Sequence, residues 1–273
     1  MLREFVMVEA GLLQCSLKES KSLKNQYGIC DLSVINIYEQ ADAHSSVVNQ
    51  MLYGDHYKIK EVRKHYLLIE LQFDKSKGWI HRNQFHPIAE DNVQVLNDFS
   101  KAVYNDEPIG YVIDAINNLR TILFGARMDA MYCINHHNKD FELSPKTRSI
   151  PELALTLLNT PFMQGGRSTF GVDSSGFTQL IYKNCDIVLY RSVEQQSEQG
   201  IPLSFIEESK PGDLAFFDTK EGIIHHVGII LPNNYIIHAF GKVRIDRIDH
   251  TGIFNPETKQ YTHHLRVIKS LEV

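Results

Sequence analysis

The sequence predicts an N-terminal region of one or two small β-barrels followed by an α+β domain. Short apolar runs alternate with polar turns over residues 28–85, which is the pattern of short, evenly spaced strands. Two amphipathic helical patterns begin near residues 149 and 173, and several strand-like runs follow them. Helices followed by consecutive strands are typical of α+β domains, so the change of pattern near residue 145 marks the main boundary.

Size and composition describe a folded chain with room for about two domains. The 273 residues exceed what one small core normally organises. Hydrophobic residues make up 43% and charged residues 22%, which suits a buried core rather than disorder. The formal net charge of -5 provides no positive field for nucleic acid, so we expect no nucleic-acid partner.

The spacing of the four cysteines indicates neither a structural zinc site nor a disulfide framework. They are Cys15, Cys30, Cys133 and Cys185, and none belongs to a C-x-x-C pair. We expect them to be buried as small hydrophobic residues.

The first residues resemble a secretion signal only loosely. The apolar stretch from residue 5 to 13 is short, carries Glu9 and is followed by Gln14, where a lipoprotein signal has a small residue. No run in the chain approaches the roughly 20 apolar residues of a membrane span. These features predict a cytoplasmic protein if Met1 is the native start, and a periplasmic or extracellular one if a leader has been removed.

Residues 27–90 are predicted to form the first barrel, after an N-terminal extension of residues 1–26. The Gly54-Asp55 turn and the closing Gly78-Trp79-Ile80 resemble the bacterial SH3-like domain. The strand-like runs cover residues 30–34, 47–53, 57–62, 66–72 and 78–80.

Residues 91–145 are predicted to form a second, degenerate SH3-like module. A helical pattern covers Tyr111 to Leu119, and strand-like pieces lie at residues 122–124 and 141–143.

Residues 146–273 are predicted to form the α+β domain, which begins with a helix at Ser149. Serine at the cap, Pro151 in the first turn and Glu152 behind it are typical of a helix start. One face of this helix carries the apolar residues Ile150, Leu153, Ala154, Leu157 and Leu158.

A second helix is predicted to open at Asp173, after the Gly165-Gly166 turn. Phe177, Leu180 and Ile181 supply its buried stripe. The strands that follow are predicted at residues 213–217, 227–231, 235–240 and 265–268.

The segment Asp173-Ser174-Ser175-Gly176-Phe177 resembles the D-C-S-G-F motif of the NlpC-type, papain-like cell-wall cysteine peptidases, with serine in the cysteine position. Three further blocks stand in the order of that family, at residues 211–217, 226–230 and 237–239, together with Pro161 and Gly165-Gly166 upstream. The resemblance covers roughly residue 150 to the C-terminus. The SH3-like region is similar to the branch that cleaves γ-D-glutamyl-L-diamino acid bonds in peptidoglycan-derived peptides.

The positions of Ser174, His226 and His238 suit nucleophilic chemistry. A residue at a helix N-terminus feels free N–H groups and the positive end of the helix dipole, which would ionise a cysteine. His226 and His238 lie on consecutive predicted strands, so a hairpin can bring both imidazoles near that helix end. His226 is then the base and His238 orients it, which the resemblance also implies.

The resemblance implies further substrate contacts around this site. Asp173 and Ser175 would hold the free amino end of an L-Ala, whereas their residue types alone are equally consistent with simple helix capping. By position in the family pattern, Gly165, Gly166, Phe162 and Ser76 would also line the substrate site.

The sequence predicts neither a metal site nor another cofactor. Three His-His pairs occur, at His136-His137, His225-His226 and His263-His264. Adjacent residues on a strand point to opposite faces, so one pair cannot clamp one ion, and carboxylates at ligand spacing are missing.

Several positions depart from the family pattern. Ser174 lacks an ionisable thiol, so we expect very low hydrolytic activity. The P-Y-x-W-G-G segment reads Pro161-Phe162-Met163-Gln164-Gly165-Gly166, and Ser76 stands where related chains often carry a tyrosine. Changes at several pocket positions favour natural drift over a single engineered change. The alternatives to a disabled hydrolase are a relative that binds or senses muropeptides without cleaving them, and an SH3-like scaffold.

Overall fold

The computed structural model of the chain describes residues 23–138 and 148–271. Residues 1–22 of the expected N-terminal extension and the strand-like piece at residues 141–143 lie outside the described residues. No helix in the described ranges is long and apolar enough to cross a membrane.

Seven short strands lie between residues 27 and 87: β1 (Tyr27–Ile29), β2 (Val34–Tyr38), β3 (Val47–Leu52), β4 (His56–Val62), β5 (Tyr66–Leu71), β6 (Lys77–His81) and β7 (His86–Pro87). They form one antiparallel sheet in the order β3-β2-β6-β5-β4-β1-β7. Inward residues from strands β2 to β6, such as Met51, Ile35, Leu67 and Ile59, share one core. The sheet therefore curls into a barrel.

The strand predicted at residues 30–34 is wrong for residues 30–33, which link β1 to β2, and Val34 is the first residue of β2. Cys30 donates to the Asp55 carbonyl and accepts from the Gly54 N–H, both at 2.8 Å. The Asp31 carboxylate lies 3.6 Å from the guanidinium of Arg120. Tertiary partners, rather than β propensity, decide the conformation of this segment.

The segment after the barrel contains α1 (Glu90–Leu96) and a hairpin of β8 (Ile109–Ile113) and β9 (Leu119–Leu123). The helix predicted over residues 111–119 is therefore wrong. The Asp114 carboxylate accepts from the backbone of Ile116 and Asn118, and Asn117 has a φ of 63°, so these residues form the hairpin turn. Among the described residues of this segment, one hairpin and short helices occur and no closed barrel.

The C-terminal part is α+β, as predicted. Its helices are α2 (Ile150–Thr156), α3 (Ser174–Lys183) and α4 (Val193–Ser197). Its strands are β10 (Arg167–Ser168), β11 (Gly171–Val172), β12 (Ile201–Leu203), β13 (Leu214–Asp218), β14 (Ile224–Leu231), β15 (Tyr235–Phe240), β16 (Lys242–Ile248), β17 (Gly252–Asn255) and β18 (Gln260–Ser270).

Strands β12 to β18 make a strongly curved sheet in the order β12-β18-β13-β14-β15-β16-β17. Because β17 also pairs with β18, the sheet closes on itself around a small apolar core that includes Phe217 and Ile236. The helices α2 and α3 cover its outer face, where Phe177 and Leu180 pack in the main core. Strands β16 and β17 were not predicted, although β16 alternates buried and exposed residues.

Both predicted helix starts are confirmed. The Glu152 carboxylate accepts from the Ser149 backbone N–H at 2.7 Å and from its hydroxyl at 2.8 Å. The helix α2 ends at Thr156, so Leu158 is half exposed instead of extending the predicted apolar face. All ten residues of α3 are buried, which exceeds the predicted stripe.

A buried polar network joins the barrel to the α+β part. Arg167 donates from its backbone N–H to the Gln50 side chain and from Nε to the Gln50 carbonyl, both at 2.8 Å. The Asp55 carboxylate accepts from the Arg167 guanidinium at 2.5 Å and from Lys183 Nζ at 2.7 Å. Because Lys183 is the last residue of α3, these contacts hold the barrel against β10 and the end of that helix.

Candidate active site

Helix α3 begins at Ser174, and Asp173 caps it. One oxygen of the Asp173 carboxylate accepts from Gly176 N at 2.7 Å, and the other accepts from Gly165 N at 2.9 Å. Asp173 therefore fixes both the first turn of the helix and the loop that precedes it. Ser174 is buried at the helix tip, and no described residue accepts a hydrogen bond from its hydroxyl.

The two predicted histidines face each other across a hairpin. His226 on β14 and His238 on β15 lie on neighbouring strands, and His226 Nε2 is 2.8 Å from His238 Nδ1. Helix α3 packs against both strands. The structure therefore brings together the helix that carries Ser174 and the pair of imidazoles.

An aspartate that no sequence motif indicated completes this arrangement. The Asp246 carboxylate on β16 lies 3.0 Å from His238 Nε2, and Arg244 donates to both of its oxygens at 2.7 and 2.9 Å. Burial alone would raise the pKa of Asp246, but the hydrogen bonds from His238 and Arg244 lower it, so the carboxylate is ionised and only accepts.

The ionised Asp246 determines the tautomers of both histidines. His238 donates from Nε2 to Asp246, which leaves its Nδ1 as an acceptor. His226 then donates from Nε2 to His238, which leaves the lone pair of His226 on Nδ1. This hydrogen-bond chain turns His226 into a neutral base with one free nitrogen.

A third histidine, His263 on β18, lies against the pair. Its ring stacks on His226 with centroids 4.1 Å apart, and its Nδ1 lies 2.9 Å from Thr262 Oγ1. In the sequence, His263 stands out only as one of a pair with His264, whose side chain is exposed on the opposite face. Strands β14 and β18 lie on either side of β13, so the contact between His226 and His263 depends on the order of strands in the sheet, which no local pattern reveals.

Burial keeps these imidazoles uncharged. It lowers the pKa of His226 well below its usual value, and the other histidines lower it further. Burial also lowers the pKa of His263 to about 3. For His238, burial lowers the pKa against the opposing effect of Asp246.

Arg191 donates hydrogen bonds to the polar residues on both sides of Ser174. Its guanidinium lies 3.0 and 2.7 Å from the two oxygens of Asp173 and donates to the Ser175 hydroxyl at 2.9 Å. Its Nε donates to Asn49 of the barrel at 2.9 Å. Arg191 lies in a loop and belongs to no motif, so the sequence did not predict its contacts.

Ser76 joins the same polar chain from the barrel side. The Asn49 amide donates to the Ser76 hydroxyl at 2.9 Å, and that hydroxyl donates to Asp74 at 2.6 Å. Ser76 is thus connected to Asp173 and Ser175 through Asn49 and Arg191. The structure brings together these residues from two distant parts of the sequence.

Gly165 and Gly166 are required by packing. Gly165 has a φ of 73°, and an added Cβ would collide with the Val47 carbonyl of the barrel. A Cβ on Gly166 would lie 2.5 Å from the Gly171 carbonyl oxygen. Phe162 is 41% exposed, and its backbone N–H donates to the Gly241 carbonyl at 3.0 Å. Gln164 is exposed as well.

The part of the sequence that forms this site is similar to known proteins. The sequence profile described as the NlpC/P60 family matches residues 159–266, which contain Ser174 and all three histidines. A γ-D-glutamyl-L-lysine dipeptidyl-peptidase of Bacillus cereus is 38% identical over 84 residues, which is 30% of this chain and 25% of that enzyme. A probable endopeptidase of Haemophilus influenzae is 32% identical over 118 residues, which is 39% of this chain and 73% of that protein.

A solved structure extends the likeness over both parts of the fold. An NlpC/P60 family protein from Bacillus cereus superposes with a TM-score of 0.70 at 16% identity, covering 89% of this chain and 99% of that one. The chain spans only about a quarter of the length of the Bacillus cereus dipeptidyl-peptidase, so that relative's activity does not transfer by similarity alone.

Proposed function

Because the chain belongs to the NlpC/P60 family, we propose that it binds peptidoglycan-derived peptides at the Ser174 end of α3 and hydrolyses them far more slowly than a cysteine-bearing member would. One observation carries the proposal: the chain of hydrogen bonds from Asp246 through His238 to His226 is complete, and the helix that begins at Ser174 packs against the strands that carry both histidines.

The hydrolytic roles follow from this chain of hydrogen bonds. His226 would accept the proton of the nucleophile at Nδ1, and His238 would stabilise the imidazolium through its own Nδ1. Asp246 is a positioning residue, because it acts through His238. The N–H groups at the start of α3 would favour negative charge at position 174.

Serine at position 174 weakens this machinery. A hydroxyl loses its proton far less readily than a thiol, and the helix tip is suited to stabilise a thiolate. The Ser174 hydroxyl also lacks a hydrogen bond to either imidazole in the described structure. Binding of a peptide therefore does not lead to efficient attack on its carbonyl group.

The substrate class is inferred from relatives and from the polar residues at the site. Relatives named as γ-D-glutamyl-L-lysine dipeptidyl-peptidases point to a γ-D-glutamyl peptide. For Asp173 and Ser175 to bind the amino end of the peptide, its ammonium group must share the Asp173 carboxylate with Arg191, which already donates to both oxygens. Gly165, Gly166 and Phe162 would shape the loop around the peptide, with Ser76 on the barrel side.

We assign the barrel of residues 27–90 as an SH3-like module that forms one wall of the binding site. Asn49 on β3 contacts both Ser76 and Arg191, which ties the barrel to the polar end of α3. A chain that acted only as a scaffold would bind no peptide at this junction.

Calorimetry and a turnover assay on the full chain test the proposal. We expect the peptide L-Ala-γ-D-Glu-L-Lys to bind with little or no cleavage. Failure to bind this peptide and its diaminopimelate counterpart would contradict the proposal, as would rapid cleavage by the unaltered protein.

The Ser174→Cys variant tests whether serine is the reason for slow hydrolysis. We expect a gain of at least about 100-fold in turnover, because a thiolate can form at the helix tip. The Ser174→Cys, His226→Ala double variant should lose that gain, and Cys185→Ser in the same background should keep it. Retained binding without any gain would show that the pocket has drifted from catalysis.

A further inference from the structure

Three imidazoles from three different strands converge at the centre of the curved sheet. They are His226, His238 and His263, and one ring nitrogen from each lies within 4.8 Å of the other two. All three residues are buried, with 5%, 0% and 6% of their surfaces exposed. Hydrolysis as proposed above uses two of them and gives His263 no role.

We propose that His226, His238 and His263 form a binding site for one divalent transition-metal ion of the zinc class. Neutral imidazole nitrogens are preferred ligands of such ions, and three histidines are a known complete protein ligand set for zinc. The inference does not rest on the proposed function, because it needs neither a peptide nor a nucleophile.

The surroundings of two histidines already orient them as ligands. His238 donates from Nε2 to the Asp246 carboxylate at 3.0 Å, which leaves Nδ1 for the metal. A carboxylate that accepts from the far nitrogen of a ligand histidine fixes the ring and increases its basicity. His263 contacts Thr262 through Nδ1, which leaves its Nε2 for the metal.

Binding requires all three rings to shift. The three ligand nitrogens lie within 4.8 Å of one another, so the ring of His263 must approach while the first two rings open. The 2.8 Å separation of His226 Nε2 and His238 Nδ1 holds one proton between them. Zinc–nitrogen bonds of about 2.05 Å in tetrahedral geometry place ligand nitrogens about 3.3 Å apart, so the pair must open by about 0.5 Å. The proton on His226 Nε2 moves to its Nδ1, so the imidazole stays neutral and no proton is lost.

This proton shift makes metal binding and base catalysis mutually exclusive. In the metal-bound state His226 carries its proton on Nδ1, the nitrogen that would otherwise accept from position 174. A bound metal ion therefore removes the base from the hydrolytic site.

Titration of the full chain with Co²⁺ tests the proposed site. We expect one Co²⁺ ion per chain, with visible absorption bands typical of nitrogen ligands in a four- or five-coordinate site. Zn²⁺ should displace the Co²⁺ and abolish those bands. Absence of the bands at a saturating Co²⁺ concentration would overturn the proposal.

Variants locate the ion. His263→Asn should weaken Co²⁺ binding by at least about 100-fold, and Asp246→Asn by about 10- to 100-fold. His264→Ala, which removes the exposed neighbour on the same strand, should leave the spectrum unchanged. Undiminished binding by His263→Asn would assign the ion to other histidines and overturn the proposal. Metal-free thermal melts, compared between His263→Asn and the unaltered chain, exclude loss of folding as the cause.

Discussion

At the scale of single residues, Asp246 determines how the histidines share their protons. Its carboxylate is 2% exposed and accepts from both Arg244 and His238. Because an ionised carboxylate cannot donate, His238 must carry its proton on Nε2. The direction of the whole hydrogen-bond chain, up to the free nitrogen of His226, therefore depends on one buried charge that sequence motifs did not indicate.

Replacement of Asp246 by asparagine should remove the fixed donor and acceptor order of this hydrogen-bond chain. An amide can donate as well as accept, so we expect His238 to populate both neutral tautomers in Asp246→Asn. Nitrogen NMR of the imidazole rings measures the tautomer directly, without any need for activity. The control is Asp249→Asn, because Asp249 accepts a hydrogen bond from the Tyr261 hydroxyl instead of from a histidine. An unchanged His238 spectrum in Asp246→Asn would contradict the assigned tautomers.

At the scale of elements, the helices are short, and hydrogen bonds between neighbouring segments determine where an element begins and how it packs. The start of α2 is set by Ser149 and Glu152, whereas β4 is joined to the end of α1 by a buried histidine. His56 lies 2.9 Å from the Asn97 side chain, and its ring stacks on Phe99. A buried imidazole at such a junction makes the packing of the two elements sensitive to pH.

The pH dependence of His56 has a definite sign. Burial lowers its pKa from 6.5 to about 4 despite the hydrogen bond to Asn97. The unfolded chain therefore binds a proton that the folded chain does not, at every pH between these two values. The stability that the neutral His56 provides is complete above about pH 6.5 and is lost as the pH falls towards 4.

We expect His56→Gln to flatten this acid dependence. Between about pH 7.5 and pH 5, the unaltered chain should lose about 2 kcal/mol more of its free energy of unfolding than the variant. Urea denaturation at the two pH values measures the difference. His65→Gln, which changes an exposed histidine, should track the unaltered chain. Parallel curves for His56→Gln and the unaltered chain would contradict the shifted pKa.

At the scale of the whole molecule, buried charges hold the barrel against the α+β part. Asp55 lies in the barrel, and its two cationic partners, Arg167 and Lys183, come from the other part. Burial would raise the pKa of Asp55, but Lys183 and Arg167 lower it to about 2. The packing of the two parts thus depends on one carboxylate that neutralises two buried cations.

Loss of that carboxylate should destabilise the chain strongly. Asp55→Asn leaves Arg167 and Lys183 buried without an anion, and we expect a cost of about 3–5 kcal/mol in the free energy of unfolding. Glu61→Gln breaks the exposed pair with Arg63 and should cost less than about 1 kcal/mol. Equal costs in urea denaturation would show that the buried network does not stabilise the junction.

Local signals in the sequence were sufficient for several elements and failed for others. Ser149 with Glu152 and Asp173 with Ser174 marked two helix starts correctly, because a cap is made by residues that are close in sequence. The helix predicted over residues 111–119 was wrong because Asp114 and Asn117 form a hairpin turn in the middle of that segment. The link at Cys30 depends on Gly54 and Asp55, which lie more than twenty residues away.

The sequence by itself determined the family, the α+β class and the pairing of His226 with His238, because these depend on motifs and on neighbouring strands. Only the tertiary structure decided that Asp246 orients His238, that Arg191 neutralises Asp173 and that His263 meets His226. The physical reason is that these contacts depend on strand pairing and on the paths of loops. Asp246 is only eight residues from His238 but lies on β16, a strand that the local pattern did not predict. Arg191 lies in a loop, and His263 comes from a strand whose place in the sheet no local pattern reveals.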